Sequence, residues 1–294
     1  MSTFTPQAAS ESHTVTEMRT VTELRTVTEP RARFRDLVAA EWIKLWSLRS
    51  TRWVFAVGGL AVVALNTNAA YRDYRAWPAF GEATRDGFDR TGALRDAFTN
   101  MAAMNLILVV AAVGAVAVVG EYGTGLIRTT FAAVPARRSL MAAKAAVVAG
   151  ATAGFGVIVA VVSFLVTQGI LAGRGAAASI GDPGALRVLA ASALLAPVAA
   201  LTGMALGTLI RHSATTVVCA VLVLLMLPVG LGPDTHMTAV IDHALPYSAW
   251  DRLVSIDHAP RSYPSTVGGA WAVYAVWALA AAAATVTAVH RRDH

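Results

Sequence analysis

The stretch "MAAMNLILVVAAVGAVAVVG", residues 101–120, contains no charged side chain. A helix that crosses a bilayer needs roughly 20 mostly apolar residues, so this stretch predicts a transmembrane helix. Five more apolar runs bring the predicted spans to about 53–70, 101–120, 145–172, 186–210, 214–232 and 266–289. Only 14% of the 294 residues are charged, against about 25% in soluble domains. The sequence therefore predicts an all-α polytopic membrane protein, with one six-span domain over residues 34–294.

The N-terminal segment has a different composition. Residues 14–31 repeat one hexapeptide as TVTEMR, TVTELR and TVTEPR, with few apolar side chains. Such a segment cannot bury enough apolar surface to offset the entropy lost on ordering, so residues 1–33 are predicted to be a disordered cytoplasmic tail. No apolar core precedes residue 53, so we expect no secretory signal and a first span that is retained.

The segment before the first span, "FRDLVAAEWIKLWSLRSTRW" (34–53), has the pattern of an amphipathic helix. Its apolar residues recur every three or four positions, and its basic residues fall largely off that stripe. Basic residues and tryptophans together favour a helix that lies in the headgroup layer. The predicted interface-helix residues are Trp42, Lys44, Trp46 and Arg49.

The distribution of basic residues predicts the orientation. Of the 24 Lys and Arg residues, eight precede the first span, four lie in 121–144, one lies in the 211–213 turn and two follow the last span. These fifteen share one side of a six-span chain, and the other side has nine. Because cytoplasmic loops are enriched in Lys and Arg, both termini are predicted to be cytoplasmic. The net charge of +6 is then explained by the membrane, and no nucleic-acid partner is expected.

The loop between the second and third spans begins "EYGTGLIRTTFAAVPARR" (121–138) and is longer than a hairpin needs. Gly123 and Gly125 permit a change of direction, "LIRTTFAAV" can form a short helix, and Pro135 ends it. The chain has no phosphate-binding GxxxxGK[ST] motif, since neither of its lysines follows a glycine. The predicted span cores contain no acidic or basic residue, which disfavours coupling to ions. We therefore expect this loop to be a docking surface for a partner that supplies energy.

Four segments in this order resemble the permeases of ABC type-2 exporters, particularly those of actinobacteria. They are "EWIKLWSLRSTRW" (41–53), "GEYGTGLIRTTFAAVPARRSLMAAK" (120–144), "LGTLIRHSATTVV" (206–218) and "LPYSAW" (245–250). Together they extend over most of the chain after the N-terminal tail. One difference is Ala249-Trp250, where relatives often have Ala-Gly, and it concerns the shape of the outer gate.

The resemblance implies a transport function without catalysis in this chain. ATP and Mg²⁺ would be bound by a separate ATPase subunit, so that this chain has no cofactor and is not an enzyme. Two permease halves, identical or different, would form a translocation path in the plasma membrane, lined mainly by spans two and five. Glu121 would open the coupling loop and pair with a basic residue of the interface helix. The residues implied for coupling are Glu121, Arg128, Thr129, Arg137 and Arg138, and those for the path are Asn105 and Met226.

Two other functions compete with the transport hypothesis. A membrane enzyme could act on lipid through the outer segment 233–265, whose possible metal ligands are Asp234, His236, Asp242, His243, Asp257 and His258. These residues lack the close spacing of a known metal motif. The chain could also be a membrane anchor or sensor that recruits cytoplasmic partners through its tail.

Glycine pairs four residues apart predict close contacts between helices. Three such pairs fall in or at the ends of the predicted spans, at Gly150–Gly154, Gly169–Gly173 and Gly203–Gly207.

Overall fold

The computed structural model describes residues 33–123, 137–230, 235–256 and 263–288, and these form helices and short connections without a strand. Within this part of the chain, six helical segments are long and apolar enough to cross a membrane. They are Arg49–Ala79, Ala93–Glu121, Arg137–Ala172, Ala185–Ile210, Ser213–Gly230 and Val267–Ala288. The prediction of an all-α, multi-pass membrane protein is therefore confirmed.

The helices are numbered here in chain order. They are α1 (Phe34–Ser47), α2 (Arg49–Ala76), α3 (Glu82–Gly87), α4 (Ala93–Ala97), α5 (Asn100–Gly123), α6 (Arg137–Ala172), α7 (Ala185–Ile210), α8 (Ser213–Val221), α9 (Leu227–Gly230), α10 (His236–His243), α11 (Pro246–Val254) and α12 (Val267–Ala288). A 3₁₀ turn at Trp77–Ala79 extends α2, and π-helical turns at Phe88–Gly92 and Leu222–Met226 join α3 to α4 and α8 to α9.

Two helices extend beyond the predicted spans by about two helical turns. The first span was predicted to end near residue 70, and α2 continues to Ala76. The third span was predicted to begin at residue 145, and α6 already begins at Arg137. In α6, Lys144 lies inside the helix and pairs with Glu41 of α1 and Glu121 of α5.

The centre of the bundle is α7, which packs against α5, α6, α11 and α12. Its contact with α5 brings the two backbones together at glycines. A Cβ atom on Gly203 would lie 2.2 Å from the carbonyl oxygen of Ala111, and one on Gly114 would lie 1.9 Å from that of Ala200. Since real atoms cannot approach so closely, both positions require glycine, as in other membrane helix pairs with small residues at the interface.

The glycine pattern predicted one of these contacts and missed others. Gly203 and Gly207 both face α5, as expected, but Gly150, Gly154 and Gly169 have no neighbouring atom within 4 Å of an added Cβ. Gly156 contacts the carbonyl oxygen of Ala193 instead. The spacing of glycines shows that a close contact is possible, whereas the helix face turned inward decides where it forms.

One end of the bundle is joined by neutral hydrogen bonds around Asn66, and we call it the neutral end. Asn66 is fully buried, and its Oδ1 accepts hydrogen bonds from the backbone N–H of Thr99 (2.9 Å) and the Thr99 hydroxyl (3.0 Å). Its Nδ2 donates to the Ser163 hydroxyl at 3.0 Å. The Thr99 hydroxyl also accepts from the N–H of Ala102 in the first turn of α5. One amide thus links α2, the start of α5, and α6.

The short helix α11 completes the neutral end. Trp250 is fully buried, its indole N–H donates to the Ser192 hydroxyl of α7 at 3.1 Å, and its ring meets Phe98 at a centroid distance of 6.1 Å. Because the indole is both packed and hydrogen-bonded, Trp250 fixes α11 to the bundle.

Candidate functional site: a buried charge network

Four charged side chains meet at the opposite end of α5, which we call the charged end. Lys144 Nζ lies 2.6 Å from Glu121 Oε1 and also pairs with the carboxylate of Glu41. The ammonium of Lys44 pairs with Glu121 from the other side. Only 4% of the Lys144 side chain and 8% of each glutamate side chain are exposed, against 42% for Lys44. The network therefore has three buried members and one accessible member.

The sequence of α1 explains why a carboxylate is buried there. Leu37, Glu41 and Leu45 recur every four residues and form the buried face of α1, because residues at this spacing lie on one side of a helix. On α6, Leu140 and Lys144 have the same spacing, and both are buried. The apolar stripes of the two helices pack together, and each stripe places one charge opposite the other.

Lys144 is the central member of this network. A buried charge is costly unless it is paired and hydrogen-bonded, and an ammonium group has three donors, so one lysine can serve two carboxylates. The two lysines and two glutamates together carry no net charge. Removal of Lys144 would leave two buried carboxylates near each other without the group that joins them, which is strongly destabilising.

The sequence did not predict these buried charges. Lys144 was assigned to the loop after the second span, but it lies two turns inside α6. Its partner Glu41 is 103 positions away in the sequence, too far for any local pattern to pair them. The one available signal was Glu41 itself, an acidic residue on the apolar stripe of α1.

The resemblance to exporters led us to expect Glu121 beside a basic residue of the interface helix, and Lys44 occupies that position. The other interface-helix residues lie nearby. The Trp42 ring packs edge-on against Trp46 at 5.8 Å between centroids, and Trp46 packs on Phe55 of α2 at 5.5 Å. Arg49 is exposed at the first position of α2.

Of the remaining coupling residues, the structure places two. Arg137 and Arg138 are exposed in the first turn of α6. Arg128 and Thr129 lie in the segment 124–136, outside the described residues, so the predicted coupling helix remains a prediction. The helices that flank that segment are joined at the charged end, where Glu121 of α5 pairs with Lys144 of α6.

The predicted path-lining spans, two and five, meet along an apolar groove. Its lining comes from α5 and α8 together with the turn that follows α8, and consists of Ile107, Leu108, Ala111, Ala112, Val217, Ala220, Val221 and Leu225. Asn105 and Met226 are not part of this lining. The side-chain oxygen of Asn105 is buried without a hydrogen-bond partner in the described part of the chain, and Met226 is half exposed in the π-helical turn.

The outer segment 233–265 shows no assembled metal site in its described residues. The carboxylate of Asp242 accepts a hydrogen bond from Ser248, and the His236 ring lies against Tyr263 at 5.5 Å between centroids. Asp234, Asp257 and His258 lie outside the described residues. Across the described ranges, no three His, Cys, Asp or Glu side chains are grouped as metal ligands.

Comparison of the sequence with models of known protein families and with curated proteins finds no match. The function is therefore inferred from the residues and contacts of this chain alone.

Proposed function

We propose that this protein is the membrane-spanning permease subunit of an ATP-driven exporter in the plasma membrane. ATP and Mg²⁺ are bound by a separate ATPase subunit, and this chain itself catalyses no reaction. The observation that supports the proposal most is the charge network, which joins α1 to the two helices that flank the segment 124–136.

The network gives a mechanical reason for this role. Glu121 lies three residues before the segment 124–136, and Lys144 lies two helical turns after it. A partner that pushes on the segment therefore displaces the end of α5 and the start of α6. Because Lys144 joins Glu121 to Glu41, the same displacement reaches α1 on the membrane surface. Movements of one to two ångströms in packed helices are typical of such transmission.

The sequence also favours an external energy source. A phosphate-binding loop needs a Gly-Lys pair, and the chain has none. The 121–144 loop lies on the side with fifteen of the 24 basic residues, the predicted cytoplasmic side, with both termini. An ATPase in the cytoplasm can reach it there.

A second permease half completes the path in this proposal, as an identical copy or a different chain. The support is the apolar groove between spans two and five, together with the exposed apolar side chains on both spans, such as Leu108, Val116, Val218 and Leu222. An apolar groove suits an amphipathic or hydrophobic cargo, and the residues that line it contain no charged group that would select an ion.

The test is co-purification of ATP hydrolysis with the full chain from the membranes of its native host. Reversing the charges of Arg128 and Arg138 to glutamate is expected to lower co-purifying vanadate-sensitive hydrolysis by at least about tenfold, because charge pairs at an interface contribute strongly to affinity. Membrane insertion of the variant is expected to be normal.

The control is Arg75→Glu, an exposed residue on the opposite predicted side. It should leave the co-purifying hydrolysis unchanged. Hydrolysis retained by the Arg128 and Arg138 variant, or no hydrolysis with the wild-type chain, would contradict the proposal.

A further inference from the structure

The first half of α2 exposes a narrow apolar stripe. Trp53, Val57 and Leu60 are 68%, 59% and 71% exposed, and their spacing puts them on one face of the helix. The opposite face, with Phe55, is buried against the bundle. From Trp53 to Leu60 the stripe is about 10 Å long at 1.5 Å per residue, enough to support a large part of one acyl chain.

Two arginines stand at the end of this stripe. Arg49 lies one helical turn before Trp53 on the same face, and Arg52 lies beside it; both are exposed. Neither side chain has an ion pair or hydrogen bond with any residue that the structure describes. The first acidic residue of α2 is Asp73, at the far end of the helix. Among the described residues, the pair therefore has two positive charges without an acidic partner, at the start of the apolar helix α2.

We propose that an anionic phospholipid binds here, with its phosphate between Arg49 and Arg52 and one acyl chain along Trp53, Val57 and Leu60. Guanidinium groups bind phosphate oxygens through charge-assisted hydrogen bonds. A tryptophan at the boundary suits the headgroup level, where its ring has both apolar and polar neighbours. A zwitterionic lipid brings its own ammonium to the phosphate, so the two arginines favour a headgroup with net negative charge.

The site lies next to the charged end without sharing its residues. Lys44 on α1 is already paired with Glu121, whereas Arg49 and Arg52 follow the break at Leu48 that separates α1 from α2. A lipid held there would fix the start of α2 at a defined depth. The proposal uses neither the ATPase nor the segment 124–136, so it stands or fails apart from the transport function.

The test is native mass spectrometry of the full chain in detergent, titrated with dioleoyl phosphatidylglycerol or dioleoyl phosphatidylcholine. We expect the first bound phosphatidylglycerol to have at least about tenfold higher affinity, since each basic residue near the surface adds to the attraction. The double variant Arg49→Gln, Arg52→Gln is expected to lose this preference. Arg49→Lys, Arg52→Lys keeps the charges and is expected to retain most of it.

The control is Arg137→Gln, Arg138→Gln, which removes the same charge at the start of α6 and is expected to retain the preference. Two ligands without long acyl chains, dihexanoyl phosphatidylglycerol and inorganic phosphate, test the acyl-chain contact. Both are expected to bind far more weakly than the long-chain lipid. Trp53→Ala is expected to lower the affinity for the long-chain lipid alone. If the variant at Arg49 and Arg52 and the variant at Arg137 and Arg138 lost the phosphatidylglycerol preference equally, the attraction would depend on overall charge. That result would overturn the proposal. Three other results would also overturn the proposal: loss of the phosphatidylglycerol preference in the Arg49→Lys, Arg52→Lys variant, equal affinity for the short-chain and long-chain lipids, or no preference for phosphatidylglycerol in the wild type.

Discussion

The charged end and the neutral end both hold α5 and α6, but they do so in different ways. At the neutral end, the hydrogen bonds are between uncharged groups in a packed core. Asn66 joins α2 to α6 and to the start of α5, and Trp250 joins α11 to α7. At the charged end, Lys144 and Glu121 join α5 and α6 to α1 through ion pairs. Neutral hydrogen bonds depend on fixed geometry, whereas an ammonium group can turn between carboxylates and keep a partner. The difference suits the charged end to transmit movement and the neutral end to resist it.

The ion pairs complement the apolar contacts of α1. Its apolar residues, such as Leu37, pack against Leu140 and Ala143 of α6. Such apolar contacts are non-directional, so they do not by themselves fix the position of α1 along α6. The ion pairs of α1 with Lys144 and Glu121 have defined partners, so we expect them to decide where α1 lies.

The largest expected effect comes from Lys144→Met. It leaves the carboxylates of Glu41 and Glu121 buried without the ammonium that joins them, and we expect a loss of about 3–5 kcal/mol in unfolding free energy. The measurement is denaturation in mixed detergent micelles, followed by tryptophan fluorescence. Adding Glu41→Gln should restore part of the loss. A cost below about 1 kcal/mol would show that the network does not hold the charged end together.

A smaller effect is expected from Asn66→Ala at the neutral end. The backbone N–H and hydroxyl of Thr99 and the hydroxyl of Ser163 lose a buried partner, which we expect to cost about 1–3 kcal/mol. The same denaturation measurement applies, with the exposed Asn68→Ala as the matched control. If both asparagine variants were as stable as the wild type, the hydrogen bonds of the neutral end would not contribute as described.

The smallest effect on stability is expected from Lys44→Met. Its side chain is 42% exposed, and Glu121 keeps its contact with Lys144, so the expected cost is below about 1 kcal/mol. This variant has the same substitution as Lys144→Met but affects the accessible member of the network. Equal destabilisation by the two variants would mean that burial does not distinguish the two lysines.

The sequence predicted the features of the fold that are local. Each span is a continuous apolar run, so six spans could be counted before any contact was known. The sequence did not predict that Asn66 and Lys144 are buried in helices with polar partners, because a polar residue is compatible with a buried helix only when its partners are known. Those partners, Ser163 and Glu41, are 97 and 103 positions away. The resemblance predicted that Glu121 has a basic partner, but not that a second lysine and a second glutamate complete the network.

The most direct test of the charged end is the distance between spin labels on α1 and α6 in lipid nanodiscs. Labels at Ile43 and Arg138, which are both exposed, are introduced after Cys219→Ala and measured by double electron–electron resonance. In the wild-type network we expect one narrow distance distribution. In the uncharged pair Glu41→Gln, Lys144→Gln we expect a broad distribution, displaced by about 2 Å or more, because α1 is no longer held by charge. An equally narrow and unshifted distribution in both proteins would contradict the role of the network in joining α1 to the helices that flank the segment 124–136.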